Sequence, residues 1–149
     1  MSPCPVCAGR LVVVGSRRRT RRTADGTRQV LVIRRLYCAA CRRLHHELPA
    51  CLVPYKRYDV ASFEAVAAQS RAAAVAVEEG TVTRWGHWLT TCVAAARRWW
   101  AATDPGDPWP VALQGPPPWP MAPAGWLAVV VHWLVAAAAW GQTRSAWLA

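Results

Sequence analysis

Two hydrophobic periods divide this chain. Up to residue 58 the apolar positions fall in short β-branched runs, Arg10-Leu-Val-Val-Val-Gly-Ser16 and Gln29-Val-Leu-Val-Ile-Arg-Arg-Leu-Tyr37, which read as two strands. Between them, Ala24-Asp25-Gly26-Thr27 is a hairpin signal, because Asp-Gly accepts the positive φ angles of a two-residue turn. With Asp25-Gly26 as that turn, Val14 faces Tyr37 and Arg17 faces Arg34 unless a bulge shifts the pairing. The segment Arg42-Arg43-Leu44-His45-His46-Glu47-Leu48-Pro49 predicts a third strand along the ribbon's edge, and Leu52 to Tyr58 an extended connector.

At Asp59 the period becomes helical. Asp59 is a candidate N-cap, and Val60, Phe63, Ala67 and Ser70 or Arg71 follow at helical spacing. The alanine-rich stretch carries this on to Val77 as one helix or two. Glu78-Glu79-Gly80-Thr81 reads as a turn, after which Val82, Trp85, Leu89, Cys92 and Ala96 mark one face of a second helix. Helix, short Gly-containing turn, helix is the outline of a helix-turn-helix. It leaves Thr81, Thr83, Arg84, His87 and Thr91 off the packing face, within reach of a DNA groove; the competing reading is a helical hairpin with a polar outer side. Gly86 weakens the second helix by about 1 kcal/mol relative to alanine.

Residues 103–124 hold eight prolines, with Trp109 and Trp119 interleaved, and read as a semi-rigid spacer packed by its own tryptophans. Residues 125–140 form the most hydrophobic run. It is shorter than the roughly 20 apolar residues a spanning helix needs and it contains His132, so a buried core helix is expected. The fold class is therefore α+β, a four-cysteine zinc ribbon followed by an all-helical, helix-turn-helix-like part. The expected divisions are a ribbon over 1–58, helices over 59–102, a Pro/Trp-rich linker over 103–124 and a core helix over 125–149. The ten tryptophans, concentrated in the C-terminal half, suit a small helical core rich in aromatics.

The cysteines sharpen the N-terminal half. Cys4-Pro5-Val6-Cys7 and Cys38-Ala39-Ala40-Cys41 are two Cys-x-x-Cys pairs bracketing a hairpin, the arrangement a tetrahedral four-thiolate site needs. An isolated two-stranded ribbon is marginal in water, and zinc contributes on the order of 10 kcal/mol to folding in such modules. Structural zinc is the expected cofactor, with iron second. His45 and His46 invite a metal reading too, but four thiolates complete the site and adjacent strand residues point to opposite faces. Cys51 and Cys92 lack spaced partners and read as buried or incidental thiols. No basic, apolar export signal follows Met1, and paired spacing favours reduced thiols, so the expected location is the cytoplasm, or the nucleoid if DNA is bound.

Charge then points to a partner. The net charge is +10, and all of it lies in residues 1–59, which carry thirteen Lys or Arg against Asp25, Glu47 and Asp59; the remainder balances. Such segregation suits a polyanion, most often nucleic acid. Arg17, Arg18, Arg19, Arg21 and Arg22 form an arginine-rich arm suited to phosphate oxygens, the plain alternative being a solvated charge run at a loop tip. Arg34, Arg35, Arg42, Arg43, Lys56 and Arg57 extend the basic set, and Thr83, Arg84 and His87 would add groove contacts from the second helix.

Taken together, Cys4-Pro-x-Cys7, Gly15-Ser-Arg-Arg-Arg, Asp25-Gly26, Ile33-Arg-Arg-Leu-x-Cys38-x-x-Cys41, His46-Glu-Leu-Pro49 and Val53-Pro-Tyr-Lys-Arg-Tyr58 resemble a bacterial family with a zinc-ribbon head and a helical tail. The head is similar to the N-terminal zinc-binding region of insertion-sequence transposases. The likeness extends to Thr81-Val-Thr-Arg-Trp85 and Gln142-Thr-Arg-Ser-Ala146. It implies a helix-turn-helix-like segment and DNA binding in a mobile-element context. Gly86 and Ala136–Ala139 depart from the more polar residues expected of that family.

Catalysis is not expected. The eight acids are scattered, residues 60–149 leave no room for a strand-rich catalytic domain, and neither Cys-x-x-Cys opens a helix in a βαβ unit. The sequence thus predicts a zinc-dependent nucleic-acid-binding protein, double-stranded DNA first and RNA second, with neither a membrane nor a small-molecule substrate as partner. The reading from another class is a zinc-ribbon adaptor that docks a transposase or another protein.

Overall fold

The chain pairs β1 (Leu11–Arg22) with β2 (Arg28–Cys38) and β2 with β3 (Arg43–His46), all antiparallel, in the order β1-β2-β3. Helices α1 (Val60–Gln69), α2 (Glu79–Thr103) and α3 (Trp126–Ala136) follow, with a 3-10 turn at Val111–Leu113. The architecture is α+β. This computed structural model describes residues 3–69, 75–103, 109–115 and 117–136. Residues 70–74, where the first helix was expected to continue, and 137–149, with Gln142–Ala146, lie outside the described residues.

The hairpin register differs by one from that of a two-residue turn. Arg17 pairs with Ile33, not Arg34, and Tyr37 faces Val12, not Val14. The cause is local. The Asp25 carboxylate accepts bonds from the Thr23 hydroxyl, the Thr27 hydroxyl at 2.7 Å and the Thr27 amide at 3.1 Å. Gly26 N donates to Thr23 O at 2.9 Å, and Gly26 takes φ +85° before Thr23 N closes onto Thr27 O at 3.0 Å. This is a three-residue loop ending in a left-handed glycine, which moves the pairing by one. A second shift occurs between Val13 and Gly15, where Val14 bulges and Gly15 takes φ +145°.

The arginine run is part of β1 and not of a loop tip, so strand alternation deals its members to opposite faces. Arg17 and Arg19 lie on the face of buried Ile33, and Arg18 on the face of Val32. The inner face is covered by the connector after β3. Arg19 donates to Val53 O at 2.6 Å and Lys56 O at 2.9 Å, and Arg21 reaches Asp59 at 3.8 Å. Backbone bonds from Arg22 N to Arg57 O and from Asp59 N to Arg22 O zip the connector along the outer edge of β1. The hairpin tip does not project either, because Ala76 N donates to Ala24 O at 2.9 Å and Ala24 packs on the helical core.

Asp59 is the N-cap of α1: its Oδ1 accepts from Ser62 N at 3.0 Å and Ser62 Oγ at 2.6 Å. Val82, Trp85, Leu89, Cys92 and Ala96 are buried, as their spacing predicts. α2 starts two residues before the expected turn ends, so Gly80 and Thr81 belong to its first turn. Phe63 stands between Trp85 and Trp88, with ring centroids at 4.2 and 5.1 Å. Trp109 and Trp119, expected to pack a spacer, are buried in this same core, and Trp119 N donates to Ala67 O at 2.8 Å. Glu64 on α1 caps α3 from outside, accepting from Gly125 N at 3.1 Å and Leu127 N at 2.9 Å. Among the described residues no helix is long and apolar enough to cross a membrane.

Gly86 sits mid-helix with nothing within 4 Å of where a Cβ would stand. Gly86→Ala is therefore expected to stabilise the fold by about 1 kcal/mol. A thermal melt should rise by roughly 3 °C; an unchanged or lower midpoint would show that the glycine is needed.

Candidate metal centre and the basic face of the ribbon

Both cysteine pairs sit in knuckles of the same design. In the first, Ala8 N donates to Cys4 O and Cys4 N to Gly9 O, each at 2.8 Å, and Ala8 takes φ 58°. In the second, the residue after the last cysteine, Arg42, also takes φ 58°, and Cys38 is paired on one side with Leu11 and on the other with Arg43. A left-handed residue after each Cys-x-x-Cys turns the chain back so that both sulfurs point inward.

The four sulfurs lie within 4.8 Å of one another, with Cys4–Cys41 at 3.6 Å and Cys7–Cys38 at 3.5 Å. Four thiolates at about 2.3 Å from a tetrahedral ion are about 3.8 Å apart, so the cluster is one that can hold a metal ion. All four are free thiols. Cys4 and Cys38 are buried, Cys41 half-buried and Cys7 exposed, and Leu11 with Leu36 packs around them. The amide of Cys41 is the main cause that brings the Cys38 thiol down to about 7, whereas burial pushes Cys41 up to about 12. Burial alone would raise Cys4, but amide bonds from Val6 and Cys7 and the Cys41 thiol bring it below its ordinary value. Cys4 and Cys38 are thus lowered and Cys7 and Cys41 raised, the split expected of four sulfurs crowded into one cluster whose charge a cation would neutralise.

His45 contributes something its sequence context does not announce. Its Nε2 is 3.4 Å from Cys4 Sγ, positioned to support a ligand sulfur without adding a fifth ligand. His46 is on the other side of β3 and exposed. Cys92 is buried in the helical core and Cys51 half-buried, both away from the cluster.

Gly9 fits between the knuckles. A Cβ there would stand 3.0 Å from Ala40 Cβ and 3.2 Å from both Cys38 Sγ and Cys7 Sγ. Gly9→Ala is expected to weaken metal binding by about tenfold to a hundredfold, since overpacking of this kind costs about 1–3 kcal/mol. Competition with a metal chelator measures it, and an unchanged affinity would mean that the knuckles give way freely.

The structure sorts the candidate nucleic-acid residues by what already holds them. Arg19 and Arg21 are engaged by the connector. Arg34 grips Glu47 with two nitrogens, one bond at 2.8 Å, which raises the Arg34 pKa and lowers that of Glu47. Lys56 holds its ammonium 4.5 Å above the Trp88 ring, and burial takes it down to about 7. Arg35 is half-buried, while Arg42, Arg43 and Arg57 are exposed. On α2, Thr83, Arg84 and His87 are exposed opposite the core, and Arg84 donates to Thr81 Oγ1 at 2.8 Å.

What remains is a row on the open face of the ribbon. Arg18 pairs with Val32, Thr20 with Val30 and Arg22 with Arg28. Val32 is 68% exposed and Val30 47%. Among the described residues, Arg18, Arg22 and Arg28 make no ion pair. Arg28 is absent from the sequence-derived set; only the register, which seats it opposite Arg22, brings it into the row.

A family model described as Domain of unknown function (DUF6431) matches residues 4–85, more than half of the chain, covering both knuckles, the ribbon, α1 and the first turns of α2. No curated protein and no solved structure matches the chain.

Proposed function

The chain belongs to the family described as Domain of unknown function (DUF6431), and we propose that it is a nucleic-acid-binding protein whose ribbon is clamped by a structural zinc ion. Cys4, Cys7, Cys38 and Cys41 hold the metal, which supplies a rigid base to the sheet and no chemistry on a substrate. The observation that carries the reading is the open face: Arg18, Arg22 and Arg28 stand in a row with exposed Val30 and Val32 between them, and no carboxylate among the described residues pairs with them. A two-stranded ribbon fits the major groove of B-DNA, where guanidinium groups bind phosphates or guanine edges and valines meet thymine methyls. The resemblance of the ribbon to transposase zinc-binding regions favours duplex DNA in a mobile-element context. Arg84 and His87 on α2 add a second row of contacts.

An adaptor built on the Trp/Pro-rich C-terminal half would need to present an aromatic docking surface. Trp85, Trp88, Trp109, Trp119 and Trp126 are buried and Trp99 and Trp100 half-buried, so the described tryptophans do not offer one.

The test is a binding titration of metal-loaded protein with a labelled duplex over 50–300 mM salt. Phosphate contacts release counterions, so log affinity should fall steeply and linearly with log salt. A flat salt dependence would sink the proposal. A matched RNA duplex, run alongside, separates DNA from RNA.

A further inference from the structure

The ribbon's inner face, opposite the row of free arginines, forms a cleft of about 550 Å³ with the Pro54–Arg57 turn. Its titratable lining is Arg17, Arg19, His45, His46, Lys56 and Arg57, together with Tyr55, and among the described residues no carboxylate enters it. Like charges gathered around one space repel. Loss of hydration, and then Arg17, Arg35 and Arg19, hold His46 below its ordinary pKa. Among the described residues neither Arg17 nor Arg57 has an ion-pair partner.

The cleft is built and not a loose surface patch. Arg19 is fixed in its wall by bonds to Val53 O and Lys56 O, one carbonyl on either side of the turn. Those bonds and Lys56 N to Val53 O at 3.2 Å hold Tyr55 at φ 63°, with the residue 71% exposed at the rim. A non-glycine residue is disfavoured in that region and persists where its surroundings over-determine it. Here the strain sets an aromatic ring at the mouth of a cationic cleft, which is the pairing that recognises a phosphate joined to a planar base.

We propose that this cleft binds a phosphate monoester, with Arg17, Arg19 and Arg57 on the phosphoryl oxygens and Tyr55 beside the group it is attached to. The site is independent of the nucleic-acid reading, because Arg18, Arg22 and Arg28 lie across the sheet from it. Its ligand is either a free nucleotide-like phosphate or the phosphorylated end of a nucleic-acid strand.

Calorimetric titration of the metal-loaded full chain with inorganic phosphate tests it. One phosphate should bind per chain, at least tenfold more weakly in Arg17→Gln and in Arg57→Gln, and unchanged within twofold in Arg18→Gln. Among the described residues the side chains of Arg17 and Arg57 make no ion pair, so metal content and melting midpoint should stay as in the parent. Absence of saturable phosphate binding overturns the proposal, and so does an equal loss in Arg18→Gln, which would mark diffuse attraction. Competition then assigns the source. A 5′-phosphorylated oligonucleotide that displaces phosphate better than its hydroxyl-ended twin identifies a strand end, whereas displacement by a nucleoside monophosphate alone identifies a free ligand.

Discussion

Cys38→Ser is expected to reduce bound metal from one ion per chain to none and to unfold the ribbon while leaving the helices folded. Cys38 is fully buried, ends β2 and is paired by its backbone to Leu11 and Arg43, so both neighbouring strands depend on its position. The packing around the cluster amounts to Cys4, Leu11 and Cys38, with Leu36 and Cys41 half-buried against them, too small a core to hold a long ribbon alone. Metal binding in such modules is worth on the order of 10 kcal/mol of folding free energy, so its loss exceeds what that packing can replace. The helices carry their own core of Phe63, Trp85, Trp88, Leu89, Leu127 and their neighbours. Hydrogen exchange should therefore show amides of β1–β3 losing protection near the knuckles, with α1 and α2 still protected. A variant that keeps its metal, or a ribbon that stays protected without it, would refute this.

The second large effect separates two sets of arginines only one residue apart. The triple replacement Arg18→Gln, Arg22→Gln and Arg28→Gln is expected to lower the slope of log affinity against log salt by about 2–3 and to weaken binding alike across sequences, while the melting midpoint holds. Arg19→Ala should do the reverse. It strips a charged donor from two carbonyls of the connector, at a cost of about 3 kcal/mol, and lowers the midpoint with little change in the salt slope. Melting curves and salt titrations on the two variants check the split. If both lose affinity and stability together, the alternation of faces is not what divides the roles.

The knuckles, the α+β order and the apolar face of α2 were legible in the sequence because each rests on spacing alone: Cys-x-x-Cys, β-branched runs and intervals of three and four. Asp59 was legible as a cap because capping is local. The register was not. Asp25-Gly26 fits a two-residue turn as readily as a three-residue one, and the choice is made by Thr23 and Thr27 hydroxyls bonding the Asp25 carboxylate. That step seats Arg28 opposite Arg22, while the extension of β1 through Arg22, which the arginine run does not announce, turns Arg19 and Arg21 to the inner face. Nor can spacing show that Glu64 caps α3 from 61 residues away, that Ala24 at the hairpin tip docks beside Ala76, or that Trp109 and Trp119 leave a proline-rich stretch to join the core. These are contacts between distant segments, which local patterns do not encode. His45 beside Cys4 belongs with them, since it depends on β3 pairing in the register that sets Leu36 against His45.

On the proposed reading, a metal ion clamps the base of the ribbon and so arranges its open-face arginines for nucleic acid. The most direct test is duplex affinity at 150 mM salt for the metal-loaded chain, for the same chain after chelation, and after metal is restored. Affinity is expected to fall at least tenfold on chelation and to return with one equivalent of zinc. Affinity that is the same with and without metal would contradict it, because the charge alone, and not the clamped ribbon, would then be the binding element.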